Sequence, residues 1–140
     1  MKPAVFLDRD GTLIKEIGDL TLKDIKRTRC YPGSAKAIKT LNRLGFLVVI
    51  VTNQPVVARG LATEKEVDQI HAILVKRLAK KGAKIDAIYY CPHHPEATLL
   101  KYRIRCRCRK PNIGMIMKAV KRFGIDLKRS FIIGDRTADI

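Results

Sequence analysis

Residues 4–12 read AVFLDRDGT, and this stretch decides the fold of the chain. Four apolar residues bounded by turn residues predict a short buried strand. Asp8 and Asp10 would then lie at its C-terminal end, where open α/β sheets bind ligands. Side chains two residues apart point to the same side of a strand, so both carboxylates can contact the same ligand. Pairs of carboxylates suit Mg²⁺. The alternative is an Asp-Gly turn with two solvated acids.

Composition predicts one globular domain over residues 1–140. The chain is 46% hydrophobic and 30% charged, which is typical of soluble proteins rather than disordered or membrane proteins. No apolar run is long enough for a membrane span, and Met1 leads into the first strand without a signal peptide, so we expect a cytoplasmic protein. Four cysteines in such a chain indicate metal binding or burial rather than a disulfide scaffold.

The net charge of +16 is the unusual feature of the composition. Such an excess attracts anions and is found in proteins that bind nucleic acid or phosphorylated partners. A lysine-rich solvated surface, as in heat-adapted proteins, is the simpler explanation, but those proteins are usually rich in Glu as well, and this chain is not. A nucleic-acid-end phosphatase or a basic nucleic-acid-binding module therefore stays open as an alternative function.

Strand and helix patterns alternate along the chain. A loop with at most one short element is predicted for residues 13–30. Later strands are predicted at 46–51, 85–90 and 130–133, and helices at about 34–44, 64–81 and 111–123. Thr63 and Glu66 form a capping box for the second of these helices. This alternation predicts a Rossmann-like parallel sheet with helices on both faces.

Polar side chains follow three of the four predicted strands. Asp8 and Asp10 follow the first, Thr52 and Asn53 the second, and Asp135 with Asp139 the fourth. Parallel strands place these ends on one edge of the sheet, so we expect the side chains to converge there.

A second group of polar residues has the spacing of a metal site. Cys91-x-His93 is followed, after twelve residues, by Cys106-x-Cys108. Three thiolates and one imidazole make a closed, structural zinc set, so we expect a zinc-binding loop at about 91–108. Incidental buried cysteines are the alternative reading. Cys30 is left over and is predicted to be a small core residue.

The ordered motifs resemble those of the haloacid dehalogenase superfamily of phosphotransferases. The matching residues are Asp8-x-Asp10-Gly11-Thr12, Thr52, Lys110 and Gly134-Asp135-x-x-x-Asp139. The resemblance implies that Asp8 is the nucleophile that forms an aspartyl-phosphate and that Asp10 is the general acid and base. It implies that Thr52 and Lys110 contact the phosphoryl group. Mg²⁺ would be held by Asp8, the Asp10 carbonyl and Asp135. Asp139 would orient Lys110 or the metal shell, or act as a helix N-terminal acid.

The zinc set narrows this resemblance. Together with Thr52-Asn53-Gln54 and Arg109-Lys110-Pro111, these four residues resemble the motifs of the heptose 1,7-bisphosphate 7-phosphatases and of the related histidinol-phosphate phosphatases. The twelve residues between His93 and Cys106 favour the heptose branch. The resemblance implies a small phosphorylated sugar substrate contacted by Asn53, Gln54, Arg109 and Arg136, with residues 16–19 nearby. Histidinol phosphate is the alternative substrate, and the sequence leaves the oligomeric state open.

The resemblance also carries an expectation about the end of the chain. Members of this family continue for several dozen residues with a further strand and helix, whereas this sequence ends at Ile140. We therefore expect a core that is truncated after the fourth strand, as in a fragment or a shortened relative with little activity.

Overall fold

The structure, a computed structural model that describes residues 1–139, contains one parallel sheet of four strands. The strands are β1 (Ala4–Leu7), β2 (Leu47–Asn53), β3 (Ala87–Cys91) and β4 (Phe131–Ile133), in the order β3-β2-β1-β4. The chain order reverses beside β1, which has β2 on one side and β4 on the other. The predicted α/β fold is confirmed, and the reversal marks the crevice in which such sheets bind ligands.

Helices cover both faces of the sheet, as predicted. They are α1 (Leu22–Ile25), α2 (Ser34–Arg43), α3 (Glu64–Lys80) and α4 (Gly114–Phe123). Val5 and Leu7 of β1 pack in the core on the side of α2 and α3, while Ala4 and Phe6 pack in the core on the side of α4. Because successive side chains of a strand point to opposite faces, one apolar run serves both cores.

The predicted capping box is present at the start of α3. The Glu66 amide donates to Thr63 Oγ1 at 3.1 Å, and Glu66 Oε1 accepts from the Thr63 amide at 3.2 Å. These bonds satisfy two of the backbone groups that a helix start leaves without partners.

Three elements differ from their predicted bounds by two residues or more. β2 runs on to Asn53, so Thr52 belongs to the strand, and β3 is displaced to end at Cys91. Helix α4 begins at Gly114 rather than at 111, because the Asn112 and Gly114 amides donate to carbonyls of Arg109 and Arg107, at 2.9 Å in both cases. Local hydrogen bonds to the predicted zinc loop thus replace the first helical turn.

β4 is the outer strand of the sheet described by residues 1–139. It pairs with β1 alone, and its apolar side chains are exposed, Phe131 by 60% and Ile133 by 49%. Within those same residues, no helix combines the length and apolar character that crossing a membrane requires.

Candidate active site

The carboxyl ends of the strands converge on one cavity of about 340 Å³. Leu7 lies beside Ile50 of β2 and Ile133 of β4, so the residues that follow these positions share one edge of the sheet. Most residues singled out by the motifs line this cavity: Asp8, Asp10, Thr52, Asn53, Gln54, Arg109, Lys110, Arg136 and Asp139. The predicted convergence is therefore present, and residues as far apart in sequence as Asp8 and Asp139 meet at this edge of the sheet.

Lys110 lies at the centre of the site and joins two carboxylates. Its ammonium donates to Asp8 Oδ1 at 3.1 Å, to the Val51 carbonyl at 3.0 Å and to Asp139 Oδ1. Asp8 is only 8% exposed. Burial raises the pKa of Asp8, and the Lys110 charge and hydrogen bond oppose this rise. The ammonium is thus the group that favours the ionised carboxylate in a desolvated position.

A group of three carboxylates offers oxygen ligands for a cation. Asp8, Asp135 and Asp139 each present an oxygen, and these oxygens all lie within 4.8 Å of one another. A Cβ at Gly11 would collide with the Asp135 carboxylate, and a Cβ at Gly134 would collide with that of Asp139. The two glycines therefore allow the acids to approach the backbone, and the oxygen-only donor set fits the preference of Mg²⁺.

The carboxylate of Asp10 lies outside this group and is held by Arg9. The guanidinium donates from Nε to Asp10 Oδ1 and from an Nη to Asp10 Oδ2, each at 3.0 Å. Arg9 is 1% exposed and also contacts His71 Nε2 at 3.1 Å and Gln54 Oε1 at 2.9 Å. Two parallel charge-assisted bonds determine both the position and the plane of the Asp10 carboxylate.

Gln54 connects this network to Thr52. Its side-chain amide donates to Asp10 Oδ2 at 3.0 Å and to Thr52 Oγ1 at 2.9 Å, and the residue is 3% exposed. Because the Thr52 oxygen accepts this bond, its own hydroxyl proton is left for another acceptor. Gln54 thus orients two predicted catalytic groups, and because it also lines the cavity its substrate contact stays a prediction.

The side-chain amide of Asn53 also makes hydrogen bonds within the protein. Its Oδ1 accepts from the Lys110 amide at 2.9 Å, and its Nδ2 donates to the Lys110 carbonyl at 3.3 Å. Both ends of the Asn53 amide therefore anchor the backbone of Lys110, 57 residues away.

Three arginines line the cavity: Arg59, Arg109 and Arg136. Arg109 is half-buried, and one Nη donates to the His93 carbonyl at 3.4 Å. Arg136 is exposed and bonds Glu16 Oε2 at 3.1 Å, so it ties the end of the described chain to the loop after β1. Asp19 of the same loop also lines the cavity, as expected for residues 16–19.

The buried His71 is a residue that the sequence reading missed. It lies on the apolar face of α3, and it must accept from Arg9 through Nε2 because a guanidinium has no acceptor. Burial and the Arg9 charge lower the pKa of His71 to about 3. The only hint in the sequence is a histidine between Ile70 and Leu74, and that pattern is usually structural.

The low pKa of His71 predicts that the folded chain loses stability in acid. The unfolded chain takes up a proton at His71 near pH 6.5, whereas the folded chain does so only near pH 3, so stability falls as the pH drops below 6.5. We expect His71→Gln, which keeps an acceptor for Arg9, to flatten this dependence between pH 6.5 and 4. Urea unfolding at several pH values measures the difference, and equal slopes in both proteins would contradict it.

The predicted zinc ligands also meet. The Sγ atoms of Cys91, Cys106 and Cys108 lie 2.8–3.3 Å apart, and His93 Nδ1 is 3.6 Å from Cys91 Sγ and 3.4 Å from Cys108 Sγ. The cysteines are free thiols, and Cys30 lies outside the group. Burial raises the pKa of Cys106, but hydrogen bonds from the other thiols, the Arg109 amide and His93 outweigh it and lower the pKa to about 6. Three sulfur donors and one imidazole fit a tetrahedral zinc site.

Comparison with known proteins assigns the chain to a family. Residues 3–139 match the model of the polynucleotide kinase 3 phosphatase family. The D-glycero-beta-D-manno-heptose-1,7-bisphosphate 7-phosphatase of Rhodopseudomonas palustris is 44% identical over 139 residues, which are 99% of this chain and 76% of that enzyme. The chain belongs to this heptose bisphosphate phosphatase family. The superfamily resemblance drawn from the motifs is thereby confirmed.

Solved structures of the family share the fold. A D,D-heptose 1,7-bisphosphate phosphatase from B. bronchiseptica, solved with magnesium and phosphate, superposes with a TM-score of 0.81 at 34% identity, over 98% of this chain and 72% of that one. A Mesorhizobium loti protein provisionally classed as a HAD-like phosphatase gives a TM-score of 0.90 at 36% identity, over 99% of this chain and 65% of that one. The chain therefore spans 65% to 76% of the length of these three relatives.

Proposed function

We propose that the chain is a Mg²⁺-dependent phosphoric monoester hydrolase that acts through an aspartyl-phosphate on Asp8. The observation that carries the proposal is the buried Asp8–Lys110–Asp139 cluster beside an Asp10 that is held separately by Arg9. Two carboxylates two residues apart thus have different partners. Different environments are what a nucleophile and a general acid require of two otherwise identical groups.

Asp8 supplies the attacking oxygen. A bond forms between a carboxylate oxygen and phosphorus while the bond from phosphorus to the sugar oxygen breaks. Asp10 gives its proton to that leaving oxygen and later removes a proton from the water that attacks the aspartyl-phosphate, which releases phosphate and restores Asp8. The paired Arg9 bonds keep the Asp10 carboxylate in one plane through both steps.

Lys110 and Thr52 bind the phosphoryl oxygens in this proposal. Lys110 already uses all three of its protons, so one of its bonds must be exchanged for a phosphoryl oxygen. The Thr52 hydroxyl keeps its proton for such a bond because its oxygen accepts from Gln54.

Asp8 and Asp135 would hold Mg²⁺ with their side chains, and the Asp10 carbonyl is the third ligand predicted from the sequence. Both oxygens of Asp139 already accept hydrogen bonds, from Lys110 and the Arg136 amide, so we assign Asp139 to orienting Lys110. When bound, Mg²⁺ supplies positive charge that offsets repulsion between a carboxylate and a phosphate.

We propose a structural zinc ion for Cys91, His93, Cys106 and Cys108. The set has four protein ligands and therefore leaves no open position for chemistry. The position of the four ligands in the chain indicates what the zinc would stabilise. Arg109 and Lys110 follow Cys108 directly, and the Arg109 amide lies 3.3 Å from Cys106 Sγ. A rigid loop at this point holds both cations at the cavity.

The proposed substrate is D-glycero-D-manno-heptose 1,7-bisphosphate, cleaved at the 7-phosphate, as the names of the relatives indicate. Arg109 and Arg136, which line the cavity, would contact the second phosphate or the sugar hydroxyls. A cytoplasmic location stays a prediction from the sequence.

Phosphate release from a small panel tests this function. We expect turnover of heptose 1,7-bisphosphate that requires Mg²⁺, and much slower turnover of histidinol phosphate at the same concentration. Faster hydrolysis of histidinol phosphate would move the assignment to that branch. Absence of Mg²⁺-dependent release from either substrate would overturn the proposal.

A second candidate function comes from the name of the matched family and from the net charge of +16. It is removal of a terminal phosphate from a nucleic acid. A 3′-phosphorylated oligonucleotide belongs in the same panel for this reason. Cleavage of that probe above the rate for the heptose substrate would establish this alternative.

Arg9→Lys tests the positioning of Asp10. A lysine keeps the charge but cannot make the two parallel bonds, so we expect kcat to fall about tenfold to a hundredfold, on the scale of misplaced catalytic groups. KM for the substrate should change little because Arg9 is buried behind Asp10. Steady-state kinetics with unfolding as the stability control measure this, and a rise in KM at constant kcat would contradict a positioning role.

A further inference from the structure

A second and larger cavity lies away from the phosphatase site. Its volume is about 830 Å³, and it lies between residues 26–33, helix α2 and the C-terminal part of helix α3. It shares no lining residue with the active-site cavity. The volume falls within the range of about 300–1,000 Å³ that small-molecule sites occupy.

The walls of this cavity are positively charged. None of its fourteen lining residues is Asp or Glu. Seven are basic: Lys26, Arg29, Lys36, Lys39, Arg77, Lys80 and Lys81. Within residues 1–139, none of these seven forms an ion pair, whereas Arg9, Arg59, Lys84, Lys110, Arg129 and Arg136 do. Like charges around a concave surface concentrate the field and attract a multiply charged anion.

The backbone adds to this field at the start of α2. Gly33 precedes this ten-residue helix with φ 90°, no side chain caps its N-terminus, and its first turn contains no acidic residue. Gly33, Ala35 and Lys36 all line the cavity. The positive end of the helix dipole therefore faces the same space as the basic side chains, without a carboxylate to offset it.

Apart from Thr28 and Gly33, the remaining lining is apolar. Leu78 is 1% exposed, and Tyr31, with 39% of its surface exposed, offers an aromatic face beside Pro32, Cys30 and Ala35. A ring system lies well against such a surface because aromatic rings combine apolar area with favourable stacking. The cavity thus combines several cationic groups with one flat apolar wall.

We propose that this cavity binds a nucleoside polyphosphate. The phosphates would contact the lysines and arginines, and the base would lie on Tyr31 and its apolar neighbours. An extended single strand fits less well, because such sites use several aromatic side chains for successive bases and Tyr31 is the one aromatic residue that lines this cavity. The inference is independent of the proposed phosphatase reaction.

Calorimetric titration with ATP, without added Mg²⁺ or chelator and at physiological salt, tests the proposal. We expect ATP to bind the full chain, and the double variant Lys36→Glu/Lys80→Glu to bind at least about tenfold more weakly, the equivalent of about 1.4 kcal/mol. Both lysines are exposed, so the charge reversals leave the core intact. An unchanged affinity would overturn the proposal.

Two controls separate this site from general attraction. Lys118→Glu/Lys121→Glu makes the same charge change at exposed positions of α4, and we expect it to leave ATP binding unchanged. An equal loss of ATP affinity in this variant would show that the effect comes from net charge and not from this cavity. Arg109→Ala should also bind ATP normally, and a loss there would place ATP in the phosphatase cavity instead.

Two further probes test the ligand class. Tripolyphosphate should bind more weakly than ATP, since it lacks the base, and adenosine should bind more weakly still. Tripolyphosphate binding as tightly as ATP would overturn the role of the apolar wall. Binding of a single-stranded oligonucleotide in the absence of ATP binding would overturn the small-ligand assignment.

Discussion

Replacement of Asp8 by asparagine is expected to lower phosphate release by at least about a thousandfold, the scale on which loss of a covalent nucleophile is felt. An amide has the shape of the carboxylate but does not attack phosphorus. Asparagine still offers an acceptor to Lys110, so the geometry of the site should persist. Release of inorganic phosphate from the heptose substrate, with Mg²⁺ present, measures the effect.

The fold should tolerate this substitution well. Burial raises the pKa of Asp8, so the ionised carboxylate destabilises the folded chain increasingly as the pH rises above the unfolded value of 3.8. At neutral pH and without added Mg²⁺ we therefore expect the Asp8→Asn variant to melt no lower than the parent. Asp68→Asn, at an exposed position of α3, is the matched control and should keep full activity. Retained turnover in Asp8→Asn would exclude the aspartyl-phosphate route.

Replacement of Cys108 by serine is expected to remove zinc and to lower the melting temperature by about 10 °C, which corresponds to about 3 kcal/mol for a domain of this size. In the proposed zinc site the Cys108 thiolate is one of four ligands, and the loop that holds it leads to Arg109 and Lys110 in the active site. Activity should fall together with stability for that reason. Metal analysis, calorimetry and phosphate release on one preparation measure the three effects.

Cys30 provides the control for this experiment. It is the cysteine outside the ligand group, so Cys30→Ser should keep a full complement of zinc and lose no activity. A Cys108→Ser variant that retains one zinc ion per chain at the parent's melting temperature would refute the structural zinc site.

Much of the fold follows from local patterns in the sequence. Apolar runs that end in polar residues predicted the strands, and the Thr63/Glu66 capping box marked the start of α3 correctly. The misplaced start of α4 has a physical cause. Residues 111–113 favour a helix locally, but the amides of Asn112 and Gly114 bond to the zinc loop, an interaction that no helical period encodes.

Some residues of the candidate site could also be predicted from the sequence, and others could not. The spacing of Asp8 and Asp10 and of the four Cys and His residues indicated their chemistry, and the family resemblance indicated Lys110. The sequence did not indicate Arg9 as the partner of Asp10, since a basic residue between two acids is equally compatible with a solvated turn. It also proposed substrate contacts for Asn53 and Gln54, which stay predictions, but it did not show that their side chains hold Lys110 and Asp10.

By itself, the sequence determined that this chain forms a parallel sheet with acids at the strand ends and a Cys and His set beside them. These properties depend on side-chain periods of 2 and 3.6 residues and on short spacings, which act within a few residues. Only the tertiary structure decided which groups are partners: Arg9 with His71, Asn53 with Lys110, and the basic residues of α2 with those of α3. Such pairs join residues many positions apart, and their contact depends on strand order and helix packing rather than on any local pattern.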